Sequence, residues 1–309
     1  DRKRLMLVSL SGYVVSNLVV AMAPTFVVLC AGRCIGGLAH ALLMSIVSAY
    51  AARLVPAGMT GRAISFVYGG TSLGAILGVP GTAAVGHLAS WRVAMYIMTG
   101  IAVVLTLCIA FFLPPVSSAV HVKESLPSIV SRKVMRTFLV VVLVDAVFFF
   151  AHNLLYTYVT PLLLEHGLSN GVLSIALLLT GGLSILGLWG AGQIVDRRPA
   201  AGMLASGMAM LVGMGLLYGH ILSGWMSVAA VGLWCIGYSA IIPFVMSGAI
   251  RARATRADVA GAAINAASNA GILLGSAAGG MVLTQAGFAV LTPLALAVAL
   301  CGILIAFFS

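Results

Sequence analysis

Along the 309-residue chain, long apolar stretches alternate with short polar ones. A helix needs ~20 mostly apolar residues to cross the hydrocarbon core of a bilayer. Ten stretches qualify: 5–22, 27–52, 63–87, 92–113, 137–161, 172–194, 201–219, 226–249, 260–283 and 287–308. The runs are continuous and do not alternate residue by residue, which predicts membrane-spanning helices and not a barrel. The 36 glycines suit helices that pack closely in lipid. The longest polar interval, 114–136, carries Pro114-Pro115, Ser117-Ser118, Lys123, Arg132, Lys133 and Arg136, and it reads as a cytoplasmic linker. The predicted architecture is all-α: an N-terminal helical bundle over 1–113, the linker, and a C-terminal six-helix bundle over 137–309. Four predicted helices precede the linker and six follow it. Two halves of six would be symmetric, so two further helices are expected ahead of residue 1.

Composition supports lipid as the solvent. Hydrophobic residues make up 62% of the chain and charged ones 7%, against about 25% charged in an ordinary soluble domain. That excludes a soluble enzyme, a secreted disulfide scaffold and a disordered protein. The net charge of +10 would suit nucleic acid if the basic residues formed one patch. They instead fall in loops on alternate sides of the predicted spans. Residues 1–4, 53–62, 114–136, 195–200 and 250–259 hold 14 of the 16, Arg92 is alone on the other side, and Arg33 lies within a span. That asymmetry places the first side in the cytoplasm of an inner-membrane, multi-pass protein whose partner is the bilayer and not nucleic acid. The opening run Asp1-Arg2-Lys3-Arg4 leads straight into an apolar span and does not read as a signal peptide. Cys30, Cys34, Cys108, Cys235 and Cys301 lie in apolar runs without a metal-ligand pattern, so they read as packing residues and no metal is expected. Without a Walker loop, dinucleotide fingerprint or nucleophile elbow, neither an enzyme nor a cofactor is expected, and an ion gradient or facilitated diffusion remains as the driving force.

The two blocks share an internal offset. Leu73-Gly74-Ala75-Ile76-Leu77-Gly78 resembles Ala270-Gly271-Ile272-Leu273-Leu274-Gly275 at a spacing of 197 residues, and Trp91 falls on Phe288 at the same spacing. Parallel six-helix repeats are a known transporter plan. Chance likeness of glycine-rich helices is the plainer alternative, weakened by the agreement of topology and linker. The loop Gly192-Gln193-Ile194-Val195-Asp196-Arg197-Arg198 would map just before residue 1, with Arg2, Lys3 and Arg4 matching its basic tail.

These residues resemble the major facilitator superfamily. The Gly-x-x-x-Asp-Arg loop at 192–197 is similar to its cytoplasmic signature. Arg33 with Gly36-Gly37 resembles the fourth-helix pattern of its proton antiporters. The segment from Gly74 through Gly78-Val79-Pro80-Gly81 resembles the fifth-helix antiporter motif, departing from it by the inserted Val79. The stretches Arg33–His40, Gly78–Thr82, Ser90-Trp91-Arg92, Tyr156–Pro161 and Asn265-x-x-x-Asn269-x-Gly271 are similar to arabinose-efflux-like permeases, a group of sugar and nucleoside exporters. The resemblance implies a monomeric secondary transporter that exports a sugar, nucleoside or drug-like solute by proton antiport through alternating access. A facilitator or uptake transporter, a non-transporting sensor and an inactive fragment remain alternatives.

An ionisable group inside a span is costly and usually faces a polar cavity. Arg33, His40, Asp145 and His152 stand out. Helical spacing sets Asp145, Phe149, His152 and Tyr156 in one stripe, Arg33, Gly37, His40 and Met44 in a second, and Asn265 and Asn269 in a third, with Trp234 and Tyr238 a weaker pair. The expected substrate contacts are His40, His152, Asn153, Tyr156, Tyr238, Asn265 and Asn269. The expected proton-coupling groups are Asp145 and His152, with Arg33 added by the resemblance. Plainer readings stand beside these: hydrogen bonds between helices for the histidines and asparagines, pairing with linker bases for Asp145, and snorkelling for Arg33. Arg2, Asp196, Arg197, Gly74, Gly78 and Pro80 are the expected gating residues. Asp196 and Arg197 would hold the two halves together on the cytoplasmic side, or Arg197 would merely anchor the loop. Gly78 and Pro80 would shape a bend, or Gly70, Gly74 and Gly78, like Gly271, Gly275 and Gly279, would simply pack closely against a neighbouring helix.

Overall fold

The computed structural model describes residues 2–55, 89–114, 131–220 and 222–308, with 66–67, 69–71, 73–74, 77–78, 81–82 and 85–86 between. Pro80, most of the linker and part of the predicted span 63–87 lie outside these residues, as does the side chain of Arg2. The chain divides into two compact units, Asp1–Ser125 and Leu126–Ser309.

In the first unit α1 (Arg2–Met22) packs on α2 (Phe26–Arg53) and on α3 (Trp91–Phe112). Small residues let α1 and α2 approach: a Cβ at Gly12 would lie 2.9 Å from the Ala39 Cβ, and the Ser16 hydroxyl donates to the Gly32 carbonyl at 2.7 Å. Ser90 caps α3 by accepting from the Val93 N–H, as N-cap serines do. Lys3 reaches across to the Ala110 carbonyl at 2.8 Å, fastening the start of α1 to the end of α3.

The second unit runs α4 (Arg132–Tyr156), α5 (Val159–Glu165), α6 (Asn170–Ile194), α7 (Pro199–Gly215), α8 (Trp225–Arg251), α9 (Ala257–Ala286) and α10 (Phe288–Phe307). Trp234, Phe148, Leu154, Met210, Met214 and Leu291 form its dry centre, while Leu178, Leu186, Trp189, Leu273 and Phe307 are exposed on its outside. Apolar side chains on both surfaces suit a protein dissolved in lipid.

Among the described residues eight helices are long and apolar enough to cross a membrane. Two of the ten predicted spans fall outside that set: 63–87 is described only in part, and α7 reaches only 17 residues. At 1.5 Å per residue α7 spans about 26 Å, somewhat short of the ~30 Å core. The predicted span 137–161 is two helices, because the chain breaks at Thr157-Tyr158. Pro161 inside a continuous helix would lose a bond to residue 157 and clash with its carbonyl, whereas in the first turn of α5 neither cost arises.

The helix starts repeat at the offset read from the sequence. Arg2 and Trp91, which open α1 and α3, lie 197 residues before Pro199 and Phe288, which open α7 and α10. The packing repeats with them, since α7 contacts α8 and α10 as α1 contacts α2 and α3.

Two devices fix the second unit. Gly271, Gly275 and Gly279 of α9 press on the α4 backbone at the carbonyls of Ala146, Phe150 and Leu154. A Cβ at Gly271 would stand 2.6 Å from the first of these. His166, buried beyond α5, sets Nδ1 2.8 Å from the Leu162 carbonyl and Nε2 3.0 Å from the Leu217 carbonyl. Its own carbonyl accepts from the Gly224 N–H at 2.7 Å, so one residue ties the end of α5 to the connection between α7 and α8.

Candidate functional site

The α4 stripe faces the interior of the second unit. Asp145 is 0% exposed and His152 5% exposed. Trp234 and Tyr238 come to the same place from α8, one turn apart. The His152 ring lies parallel to Tyr238 at 3.4 Å between centroids and stacks on Tyr156 at 4.6 Å. Trp234 meets it edge-on at 5.3 Å, and Phe149 meets Tyr238 edge-on at 5.1 Å. The aromatic pair read from spacing as weak is therefore the wall that encloses the histidine. The Asn153 Nδ2 donates to the Phe149 carbonyl at 2.9 Å.

Asp145 sits two turns from His152 along α4, and Tyr238 stands in its electric field. Its Oδ2 accepts from the Ser268 hydroxyl of α9 at 2.7 Å. Its Oδ1, the Nδ1 of His152 and the Nε1 of Trp234 are the buried side-chain atoms without a hydrogen-bond partner among the described residues. Each such atom costs about 1–3 kcal/mol, and all three belong to this one cluster. A buried carboxyl and a buried imidazole can each hold a proton, and their unmatched donors and acceptors suit a polar solute.

The asparagines of α9 are arranged otherwise than a bond between helices requires. Asn269 is exposed, and its Nδ2 donates to the Asn265 carbonyl at 2.7 Å within their own helix. The neighbouring stripe, Ile264 and Ser268, is the one turned into the bundle. Sequence reasoning missed Ser268 because a lone hydroxyl in an Ala- and Gly-rich helix reads as a small packing residue.

In the first unit the His40 Nδ1 lies 2.6 Å from the Tyr13 hydroxyl, a bond between α1 and α2. Tyr13 carried no sequence signal of its own. Arg33 is exposed on α2 and acts on Tyr13 through its charge. Gly74 and Gly78 are helical, and no described atom lies within 4 Å of a Cβ built on either, so the close approach seen at Gly271, Gly275 and Gly279 has no described counterpart there. Arg2 opens α1. Asp196 pairs with Arg251 at 2.6 Å, joining the ends of α6 and α8 inside the second unit, and Arg197 beside it is exposed.

Comparison with known proteins gives concordant results. The family profile described as Major Facilitator Superfamily matches residues 1–264. A chloramphenicol efflux pump of Mycobacterium tuberculosis is 29% identical over 289 residues, covering 91% of this chain and 70% of the pump. A protein of Helicobacter acinonychis named "Probable sugar efflux transporter" is 26% identical over 290 residues, covering 93% of this chain and 73% of that protein. Among solved structures, the Escherichia coli fucose:proton symporter in the outward conformation superposes with a TM-score of 0.71 at 16% identity, covering 100% of this chain and 83% of that one. The human organic anion transporter MFSD10 gives 0.71 at 20% identity, covering 99% and 77%. At these identities the structural matches speak to the fold alone.

Proposed function

Because this chain belongs to the major facilitator superfamily, a family of multi-pass membrane transporters and not of enzymes, we propose that it exports a small amphipathic or sugar-like solute from the cytoplasm by proton antiport through alternating access. The observation that carries this reading is the buried cluster of Asp145, Tyr238, His152 and Trp234 in the second unit. A carboxyl with no cation at hand among the described residues is an expensive thing to place in a membrane-spanning helix, and a proton taken up and released during the cycle gives it a use. The relatives named for chloramphenicol and sugar efflux suggest the cargo class.

In this reading Asp145 and His152 exchange the proton. His152, Asn153, Tyr156 and Tyr238 contact solute in the second unit together with Asn265 and Asn269, and His40 does so in the first. Arg33 supports coupling, while Arg2, Gly74, Gly78, Pro80, Asp196 and Arg197 shape the cytoplasmic gate. The protein works as a monomer in the inner membrane.

The test is proton-driven flux in proteoliposomes holding the complete protein, with chloramphenicol and a monosaccharide as probes. Wild type carries one of them against its gradient while the proton gradient lasts, and dissipating that gradient stops it. Asp145→Asn and His152→Ala each lose this uphill flux. Wild-type uphill flux in both variants would overturn the assignment, and equal flux with and without a gradient would make the protein a facilitator.

A further inference from the structure

The Ser268 hydroxyl has two acceptors within reach. It lies 2.7 Å from Oδ2 of Asp145 and 3.0 Å from the Ile264 carbonyl one turn back on α9. A serine hydroxyl owns one proton to donate and two lone pairs to accept with, so it satisfies one of these oxygens at a time. A carboxylate only accepts, whereas a protonated carboxyl also donates. Ser268 and Asp145 are both buried, so water does not fill the place of whichever bond is absent.

We propose that Ser268 is a positioning residue for proton exchange at Asp145, serving both of its protonation states by reversing one hydrogen bond. With Asp145 ionised, the Ser268 O–H donates to Oδ2. When a proton from the aqueous side binds Oδ2, the new carboxyl O–H donates to Ser268 Oγ, and Ser268 turns its own proton to the Ile264 carbonyl. Release runs the same steps backwards. No other group need move, because Ile264 and Ser268 are held at a fixed spacing by their helix. The groups bordering Asp145 leave Ser268 this role. From α8 the titratable residues are Tyr238, which carries the field of Asp145, and Cys235 beyond it. From α9 the partner is Ser268 itself, and α10 brings only the exposed Cys301.

This inference rests on Asp145 carrying the coupled proton, and its test separates the two claims. The infrared C=O stretching band of protonated Asp145, identified by its loss in Asp145→Asn, is recorded in wild type, Ser268→Ala and Ser268→Thr in lipid. The band moves to higher frequency in Ser268→Ala, where the carboxyl has lost its acceptor, and returns to the wild-type position in Ser268→Thr, which keeps the hydroxyl. Uphill flux falls about tenfold in Ser268→Ala and stays within about twofold of wild type in Ser268→Thr, tenfold corresponding to ~1.4 kcal/mol. An Asp145 band at the same frequency in all three proteins overturns the exchange, as does the absence of any Asp145 band in wild type from low to high pH. Because the band needs no transport, it decides the Ser268 exchange even where Asp145→Asn carries solute normally, a result that would sink the coupling role alone.

Discussion

At the scale of single residues, the second unit separates side chains that hold it together from side chains it carries at a cost. Trp234, Phe148 and Leu154 are buried and contribute packing. Asp145 and the imidazole nitrogen of His152 bring unmatched polarity into the same interior. His152→Phe keeps a flat ring against Tyr238 and removes the unmatched nitrogen. Its unfolding free energy in detergent should stay within about 1.5 kcal/mol of wild type, while uphill solute flux falls to background; a loss of fold with flux retained in the folded fraction would show that the ring serves packing alone. In the first unit, Tyr13→Phe leaves the His40 Nδ1 without its phenol and should cost about 1 kcal/mol of stability by thermal unfolding. Asp145 was legible in the sequence because a carboxylate in an apolar run is conspicuous. Ser268 and Tyr13 were not, because their meaning comes from a neighbour on another helix.

At the scale of elements, continuous apolar runs made most helices readable, since length and hydropathy decide what lipid accepts. The break at Thr157-Tyr158 was hidden because residues on both sides of it are apolar and Pro161 alone marks it. The α4 and α9 pair shows what glycine contributes when backbones touch. In Gly275→Ala the new Cβ would stand 2.5 Å from the Phe150 carbonyl, which must move. The expected loss is about 1–3 kcal/mol in detergent. Gly182→Ala on α6, where no described atom stands within 4 Å, should instead hold or raise stability by up to ~1 kcal/mol through helix propensity. Equal effects from the two changes would mean that helix propensity, and not contact, sets both. His166→Ala removes two ring contacts to buried carbonyls and should cost about 1–3 kcal/mol, read as lowered thermal stability.

At the scale of the whole molecule, the basic residues supply the sidedness and the helix ends supply positions at which to check it. Arg198, before α7, and Ser223, before α8, are both exposed and lie at opposite ends of one short helix and its turn. In intact cells an impermeant thiol reagent should label Ser223→Cys and leave Arg198→Cys unlabelled until the membrane is opened; the reverse pattern would invert the topology. The Asp196–Arg251 pair is exposed near Arg198, and such pairs contribute less than about 1 kcal/mol. Much of the repeat was legible because two glycines and an aromatic position recur at one spacing, whereas the pairing of Asp196 with its own unit was not, since spacing along a chain does not choose among basic partners.

The glycines of α9 and the carbonyls of α4 recur every four residues on two helices running the same way, so the pair meshes like two racks of teeth. A slip of one residue would drive a side chain into backbone, and the next matching position lies four residues away, ~6 Å along the axis. The Asp145 carboxyl and the Ser268 hydroxyl bonded to it are mounted on these same two racks. They therefore travel as cargo on a single rigid part, and the proposed antiport would have to move water and the surrounding helices past that pair without parting it.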